Sequence, residues 1–401
     1  MTLLLVFAAA LIVAVLLSER ASRSVLSISV LFLVLGVATG PSGLGWVELD
    51  TTDPGIELLV ELALFSVLFT DGMRVGVREL AKAWRLPGRA LVFGMPLTAL
   101  GTMVLAHWLL DLSWTDSLLL GAGLAPTDPV FAAAIVGQEG VPRRVRQLLN
   151  VESGLNDGLA LPIVLVLLAV SVRADVEAAR LLGEVVLGVV IGVAVPWLVL
   201  RLESSRAFRA HAVYEPLLGF SIALAIYAIA AATHANEFLA AFAAGITVAS
   251  ISEAARDDFH HFGEIVTELL KLAALLAFGV LIEPTTFADF GVASWVFVAL
   301  VLVVVRPLAV VLALWGSEMD AKETAVAAWF GPKGFASVLY GLLILESGIA
   351  SGDALFHAVA AVVAASIVLH SSTDVFVARW LQRTAPSAGE REPTEQGPAR
   401  D

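Results

Sequence analysis

The chain has 401 residues, of which 59% are hydrophobic and 15% are charged, and its mean hydropathy is +0.89. A soluble domain has about 45–50% apolar and about 25% charged residues, so this composition is typical of a protein with several membrane spans. The net charge of −13 argues against a nucleic-acid partner, and the absence of cysteine excludes disulfide bonds and thiolate metal sites.

Apolar stretches of about 17–25 residues, which are long enough to cross a bilayer, occur thirteen times in the sequence. We therefore predict an all-α polytopic membrane protein with thirteen transmembrane helices. The first stretch lacks the basic leading segment and clear cleavage site of a signal peptide. Residues 384–401 are polar and proline-rich, and we expect a disordered cytoplasmic tail there. The predicted spans are 2–17, 24–40, 55–73, 88–110, 115–137, 146–172, 179–200, 214–233, 236–252, 262–282, 289–315, 321–345 and 353–377.

Lysine and arginine are distributed very unequally between the two sides of this predicted topology. If the loops alternate between sides, nineteen basic residues lie on the side of the first loop and two lie on the other. Cytoplasmic loops are the ones enriched in basic residues. The pattern thus predicts a multi-pass protein of the cell membrane with its N-terminus outside and its C-terminus in the cytoplasm.

The fifth and twelfth predicted spans are both interrupted by helix-breaking residues. Pro126 and Pro129 interrupt the fifth, and Gly331, Pro332 and Gly334 interrupt the twelfth. If spans 1–6 and 8–13 form two inverted six-helix repeats, these breaks lie at matching positions. Such matched breaks indicate the binding site of a transporter, although proline and glycine are also frequent in membrane helices generally.

Carboxylates lie beside the first break and in the span that follows it. Asp128 adjoins the break, and Ser153 and Asp157, four residues apart, share one face of the sixth helix. Hydroxyl and carboxylate oxygens suit a hard cation, and Thr127 adds a further hydroxyl. Because burial disfavours the charged form of a carboxylate, a proton and a metal cation can compete for Asp157. The alternative for Asp157 is a structural role at a helix break.

Three motifs carry a family resemblance: TDP at 127–129, ESGLNDG at 152–158 and FGPKGFAS at 330–337. In order and spacing they resemble the NhaP/NHE-type branch of the monovalent cation:proton antiporters. The resemblance implies a thirteen-helix membrane domain over residues 1–380, elevator-like alternating access and a homodimer. It also implies a core of roughly 88–172 and 289–377, and a dimerisation part of roughly 1–73 and 179–282.

The resemblance also implies roles for individual residues. Asp157 matches the shared cation and proton site, and Asn156 before it is typical of the electroneutral branch. Glu152 matches a glutamate that pairs with a basic residue in the core. Lys333 falls where most relatives have arginine, so we predict a core ion pair between Glu152 and Lys333. Positions that ligate the cation are matched by Thr127, Asp128, Ser153 and Asp71, and supporting positions by Arg306, Pro126, Pro129 and Gly331.

Lys333 and Lys271 complicate the charge balance of the predicted core. Lysine is a point charge that can lose its proton when buried, whereas arginine cannot. A neutral Lys333 would therefore alter the stoichiometry of exchange. Lys271 lies near the predicted cytoplasmic end of the tenth span, where we expect it to extend towards water.

The sequence thus predicts an electroneutral exchanger of Na⁺, or of another monovalent cation, for protons, with no cofactor. A K⁺/H⁺ antiporter of the same fold is the alternative, since ligand types alone do not distinguish Na⁺, K⁺ and Li⁺. An ion channel or an organic-anion symporter is more remote, because a channel needs several sites along an open pore and carboxylates repel anions. No phosphate-binding loop, paired metal histidines or nucleophile motif indicates an enzyme.

Overall fold

The computed structural model describes residues 2–22, 28–49, 54–74, 85–128, 142–172, 178–205, 208, 211 and 214–384. Within these ranges every regular element is a helix. The helices are α1 (Thr2–Ser22), α2 (Ile28–Thr39), α3 (Pro54–Arg74), α4 (Pro87–Leu110), α5 (Trp114–Leu124), α6 (Arg143–Val172), α7 (Ala178–Glu203), α8 (Glu215–Thr233), α9 (Glu237–Ile251), α10 (Glu253–Leu281), α11 (Val292–Ala313), α12 (Ala321–Trp329), α13 (Phe335–Glu346) and α14 (Gly352–Thr384), with a short turn at Pro284–Ala288 before α11.

Six of the described helices contain stretches long and apolar enough to cross a membrane, namely those in α1, α4, α6, α7, α11 and α14. Shorter apolar helices occur in α2, α8, α9 and α13. Large apolar side chains such as Leu16, Trp108 and Val292 are 77%, 74% and 82% exposed. An apolar outer surface of this extent suits contact with lipid rather than with water.

Two extended stretches interrupt the helical structure inside the molecule. Helix α5 ends at Leu124 and the chain continues without helical structure over 125–128, while 330–334 separates α12 from α13. These stretches lie where the fifth and twelfth predicted spans contain their helix breakers. Pro129, assigned to the first break, lies outside the described residues.

Helices α4 and α11 each contain one π-helical turn immediately before a proline-containing turn. The π turns are Ala90–Gly94 in α4 and Val301–Val305 in α11, followed by Pro96 and Pro307 as the second residue of the next α-helical segment. Proline cannot donate to the helical ladder, and a π turn is one way in which a helix accommodates the change. The two helices pack against each other.

The packing places α6 and α13 between two sets of helices. One set comprises α2, α3, α7, α8, α9 and α10, and the other comprises α4, α5, α11, α12 and α14. Helix α6 contacts α3 and α9 on one side and α5 on the other, while α13 contacts α3 and α10 as well as α5 and α14. The two extended stretches therefore lie close to the boundary between the sets.

Candidate functional site

The two extended stretches are hydrogen-bonded to each other. The Asp128 amide donates to the Pro332 carbonyl at 3.0 Å, and Lys333 Nζ donates to the Ala125 carbonyl at 3.3 Å. The Asp128 carboxylate accepts from the Phe335 amide at 3.1 Å, at the start of α13. A broken helix leaves backbone groups without partners, and here each break supplies partners for the other. The carboxylate also lies at the positive end of a helix dipole.

Close contact between these stretches depends on glycine. A Cβ atom at Gly334 would overlap the side chain of Asp128, and one at Gly331 would overlap the guanidinium of Arg306. The FGPKGFAS motif therefore has glycine at two positions where a side chain would displace Asp128 of the first stretch or Arg306 of α11.

Helix α6 holds the first extended stretch through its polar face. Asn156 Nδ2 donates to Thr127 Oγ1 at 2.9 Å and to the Thr127 carbonyl at 3.2 Å. The hydroxyls of Thr127 and Ser153 lie 3.4 Å apart. Asn156 thus positions the stretch that carries Asp128. Neither Asn156 nor Thr127 lines the cavity that lies beside Asp157.

Asp157 lies one residue beyond Asn156 and is 8% exposed. Its backbone carbonyl accepts a hydrogen bond from the hydroxyl of Tyr340 at 2.7 Å. Its carboxylate oxygen Oδ1 is buried and has no hydrogen-bond partner in the described part of the chain. A buried polar atom without a partner is costly, so this oxygen is available to a proton or a cation.

A cavity of about 650 Å³ lies against Asp157. Five carboxylates and two basic side chains, Arg74 and Lys271, line it. Oxygen atoms of carboxylates and hydroxyls are the ligands that a hard cation prefers. The other polar residues of the lining are Thr70, Asp71, Asp128, Ser153, Asp157, Glu264, Thr267 and Glu268. The cavity therefore brings together four of the predicted ligating residues, Asp71, Asp128, Ser153 and Asp157.

One wall of the cavity is formed by polar contacts between α3 and α10. Arg74 donates to Asp71 at 3.1 Å and to Glu264 at 3.2 Å, so that it bridges the two helices. The hydroxyls of Thr70 and Thr267 lie 2.9 Å apart. Asp71 consequently has a basic partner already, whereas Oδ1 of Asp157 has none among the described residues.

The buried carboxylate of Glu152 is paired with Arg306, and the predicted pair with Lys333 is wrong. Arg306 Nη2 lies 3.0 Å from Glu152 Oε1, and both side chains are buried. The π turn in α11 ends directly before Arg306 and helps to set the direction of its side chain. Lys333 is fully buried, and its Nζ is hydrogen-bonded to a backbone carbonyl of the other extended stretch.

Lys271 lines the cavity, whereas its position near the end of the tenth predicted span indicated that it would extend towards water. Its side chain is 13% exposed, and its Nζ lies 3.7 Å from Glu268 and 5.4 Å from the centre of the Phe335 ring. The spacing of Glu264, Thr267 and Lys271 places them on one helix face, which is the signal that was available. Tyr340 was also missed, because nothing in the sequence relates it to Asp157.

Comparisons with known proteins agree on one family and one fold. The family described as "Sodium/hydrogen exchanger, transmembrane" matches residues 7–380. A K(+)/H(+) antiporter NhaP of Alkalimonas amylolytica is 26% identical over 384 residues, which are 94% of this chain and 65% of that protein. Sodium/hydrogen exchanger 7 of Arabidopsis thaliana is 24% identical, over 88% of this chain and 34% of that protein. This chain thus spans less than two thirds of the length of these relatives.

A solved structure has the same fold. The sodium proton antiporter MjNhaP1 from Methanocaldococcus jannaschii, determined at pH 8, superposes with a TM-score of 0.76 at 18% sequence identity. The match covers 95% of this chain and 100% of that one. At this identity the likeness establishes the fold alone.

Proposed function

Because the chain belongs to the transmembrane sodium/hydrogen exchanger family, we propose that it exchanges a monovalent cation for a proton across the cell membrane. The observation that carries the proposal is the buried Oδ1 of Asp157, which has no hydrogen-bond partner among the described residues and lies beside a cavity lined by carboxylates. A buried carboxylate in a membrane protein is normally tolerated where it handles an ion.

The chemistry of exchange follows from competition at Asp157. When the carboxylate is charged, it binds the cation together with oxygens of Asp128 and Ser153, which line the same cavity. When it is protonated, the cation has lost its main counter-charge and leaves. Thr127 and Asn156 support this site through their hydrogen bond to each other. Asp71 also lines the cavity and is paired with Arg74. The site therefore carries either species, and not both at once.

The proposed architecture is thirteen transmembrane helices in two inverted repeats, moving by an elevator-like mechanism. Two observations support the repeat: the extended stretches at 125–128 and 330–334, and the π turns of α4 and α11. In the proposed repeat, the extended stretches lie in the fifth helix of each half, and the π turns lie in the fourth. A moving core and a dimerisation part are supported by the two sets of packed helices. The external N-terminus, cytoplasmic C-terminus and homodimer belong to the same proposal.

Na⁺ and K⁺ are both candidate cargoes. The similar bacterial protein named above is a K(+)/H(+) antiporter, and the solved structure is of a sodium proton antiporter. The ligand set is made of oxygen atoms, which both ions accept. We take Na⁺/H⁺ exchange as the first proposal and K⁺/H⁺ exchange as the second, which the bacterial relative favours.

The test is transport in proteoliposomes with an imposed pH gradient and an internal pH-sensitive dye. Na⁺, K⁺ and Li⁺ are added separately, and dissipation of the gradient is recorded. Asp157→Asn removes the titratable charge but leaves the Tyr340 hydrogen bond, which goes to the backbone carbonyl. We expect a folded protein with exchange reduced to the level of empty vesicles. Exchange at the wild-type rate in that variant would contradict the proposal.

A further inference from the structure

A second cavity, which shares no lining residue with the cavity beside Asp157, is enriched in arginine. It has a volume of about 460 Å³ and lies between the start of α4, the start of α6 and the segment that joins α11 to α12. Among the described residues, its charged lining consists of Arg85, Arg89, Arg144 and Glu318. Three guanidinium groups against one carboxylate make this cavity attractive to an anion.

Two of the arginines are held in place by backbone carbonyls. Arg89 donates from Nε to the Ala313 carbonyl at 2.9 Å and from Nη2 to the Trp315 carbonyl, at the end of α11. Arg144 donates from Nη1 to the Glu318 carbonyl at 3.2 Å. A guanidinium group has five N–H donors, so each retains donors for a further acceptor. In the part of the chain that the structure describes, neither arginine forms an ion pair with a carboxylate.

The same cavity has an apolar side that continues onto the outer surface. Leu86, Pro87 and Leu148 line it. Just beyond it, exposed apolar side chains continue along α4 and past the end of α11, with Phe93 of α4 56% exposed and Trp315, two residues after α11, 74% exposed. An arginine pocket that adjoins an apolar surface fits a ligand with an anionic head and a hydrocarbon body.

We propose that this cavity binds the phosphate group of an anionic phospholipid, with the acyl chains lying along α4 and α11. The basic residues lie on the side that the lysine and arginine distribution predicts to be cytoplasmic. Basic pockets between helices on that side are suited to anionic headgroups, and planar guanidinium groups bind phosphate oxygens in pairs. The assignment is independent of the proposed transport activity.

The experiment measures lipid binding to the purified full chain in a neutral detergent. Phosphatidylglycerol, phosphatidylcholine and inorganic phosphate are titrated separately, and the bound lipid is counted by native mass spectrometry alongside the thermal unfolding midpoint. We expect phosphatidylglycerol to bind and to raise the midpoint, and the other two to have little effect. Equal binding of phosphatidylcholine would overturn the proposal, and so would an equal effect of inorganic phosphate at the same concentration.

Variants locate the binding. Arg85→Gln with Arg144→Gln should weaken phosphatidylglycerol binding by about thirtyfold, since each basic residue contributes about fivefold. Arg85→Lys keeps the charge but loses the paired N–H donors, so it should lose less affinity than Arg85→Gln. Arg201→Gln is the matched control, because Arg201 is an exposed arginine at the end of α7 on the same predicted side and outside the cavity.

The single variant Arg85→Gln should fold normally, because the structure records no hydrogen bond of Arg85 with another described residue. A loss of binding in this variant is therefore not due to misfolding. This single variant should weaken binding by about fivefold. Unchanged phosphatidylglycerol binding in both the single and the double variant, with normal unfolding, would overturn the assignment.

Discussion

Glu152 is a buried carboxylate whose ion-pair partner among the described residues is an arginine. Its partner Arg306 lies 3.0 Å away on α11, so the pair joins α6 to α11. Removing one partner of a buried pair leaves the other charge without compensation, which costs about 3–5 kcal/mol. The pair therefore fixes α6 relative to α11, next to the site on α6.

The pairing predicts a specific result in a double-mutant cycle. Glu152→Gln and Arg306→Met should each lower the free energy of unfolding by about 3–5 kcal/mol. The double variant should recover part of that loss, because both charges are then absent. Thermal unfolding of the four proteins measures the coupling. The parallel cycle of Glu152→Gln with Lys333→Met should show weaker coupling, since Lys333 is hydrogen-bonded to Ala125 instead. Equal coupling in the two cycles would contradict the structural assignment.

Lys271 provides a second prediction, which concerns the affinity for the transported cation. Its ammonium shares the cavity with Asp71, Asp128 and Asp157, so it competes with a bound cation for their negative charge. Lys271→Met should lower the KM for the cation by about fivefold, as expected for a partly screened charge interaction of about 1 kcal/mol. Lys271→Arg keeps the charge and should leave KM close to the wild-type value. A higher KM in Lys271→Met would show that Lys271 helps the cation to bind.

At the residue scale, the carboxylates of the cavity were predictable from the sequence, whereas the ion-pair partner of Glu152 was not. Asp157 and Asp128 were found because carboxylates are rare in apolar spans, and the structure places both on one cavity. The partner of Glu152 was misassigned because the choice between Arg306 and Lys333 depends on the direction of α11. A π turn contains one extra residue, which rotates the side chains that follow it around the helix axis. The sequence shows only the proline that follows this turn.

The two broken elements depend on close contact of their backbones. The Asp128 amide donates to the Pro332 carbonyl, and the absence of a Cβ atom at Gly334 leaves room for the Asp128 side chain. Each stretch supplies partners that the other would otherwise obtain from water. The breaks were predictable from Pro126, Gly331 and Gly334, because these residues disfavour a continuous helix wherever they stand. Which groups meet across the crossing was not predictable, since it depends on the packing of distant helices.

This contact leads to a prediction for Gly334. Gly334→Ala places a methyl group against Asp128, and overpacking of this kind costs about 1–3 kcal/mol. We expect a lower unfolding midpoint and slower exchange in proteoliposomes. Gly183→Ala is the control, because no neighbouring atom lies within 4 Å of a Cβ built at Gly183 in α7. Equal stability of Gly334→Ala and the wild type would mean that the two stretches are free to separate.

At the scale of the whole molecule, the stoichiometry of the proposed exchange depends on which charges of the core are paired. Glu152 is paired with Arg306 and Asp71 with Arg74, while Asn156 cannot titrate. If the other ionisable groups of the core keep fixed charges, only Asp157 changes its protonation in the proposed cycle. One cation then replaces one proton, and the net charge that crosses the membrane is zero.

The prediction is that exchange does not respond to membrane potential. At a fixed pH gradient, the rate in proteoliposomes should be the same with and without an imposed potential, and solid-supported membranes should record no sustained transport current. Proton competition also sets the pH dependence: where Asp157 is mainly protonated, KM for the cation should rise by about tenfold for each unit of falling pH, because the ligand must be deprotonated.

A clear potential-dependent current would mean that a second group also changes its protonation or its position. The two lysines near the site, Lys271 in the cavity and Lys333 at the crossing, would then be distinguished by replacement with arginine, which keeps its proton at any accessible pH. The lysine whose arginine variant abolishes the current is the group that titrates. If neither variant changes the current, the extra charge is carried by a carboxylate, and Asp128 is the one to substitute next, because it lines the cavity with Asp157.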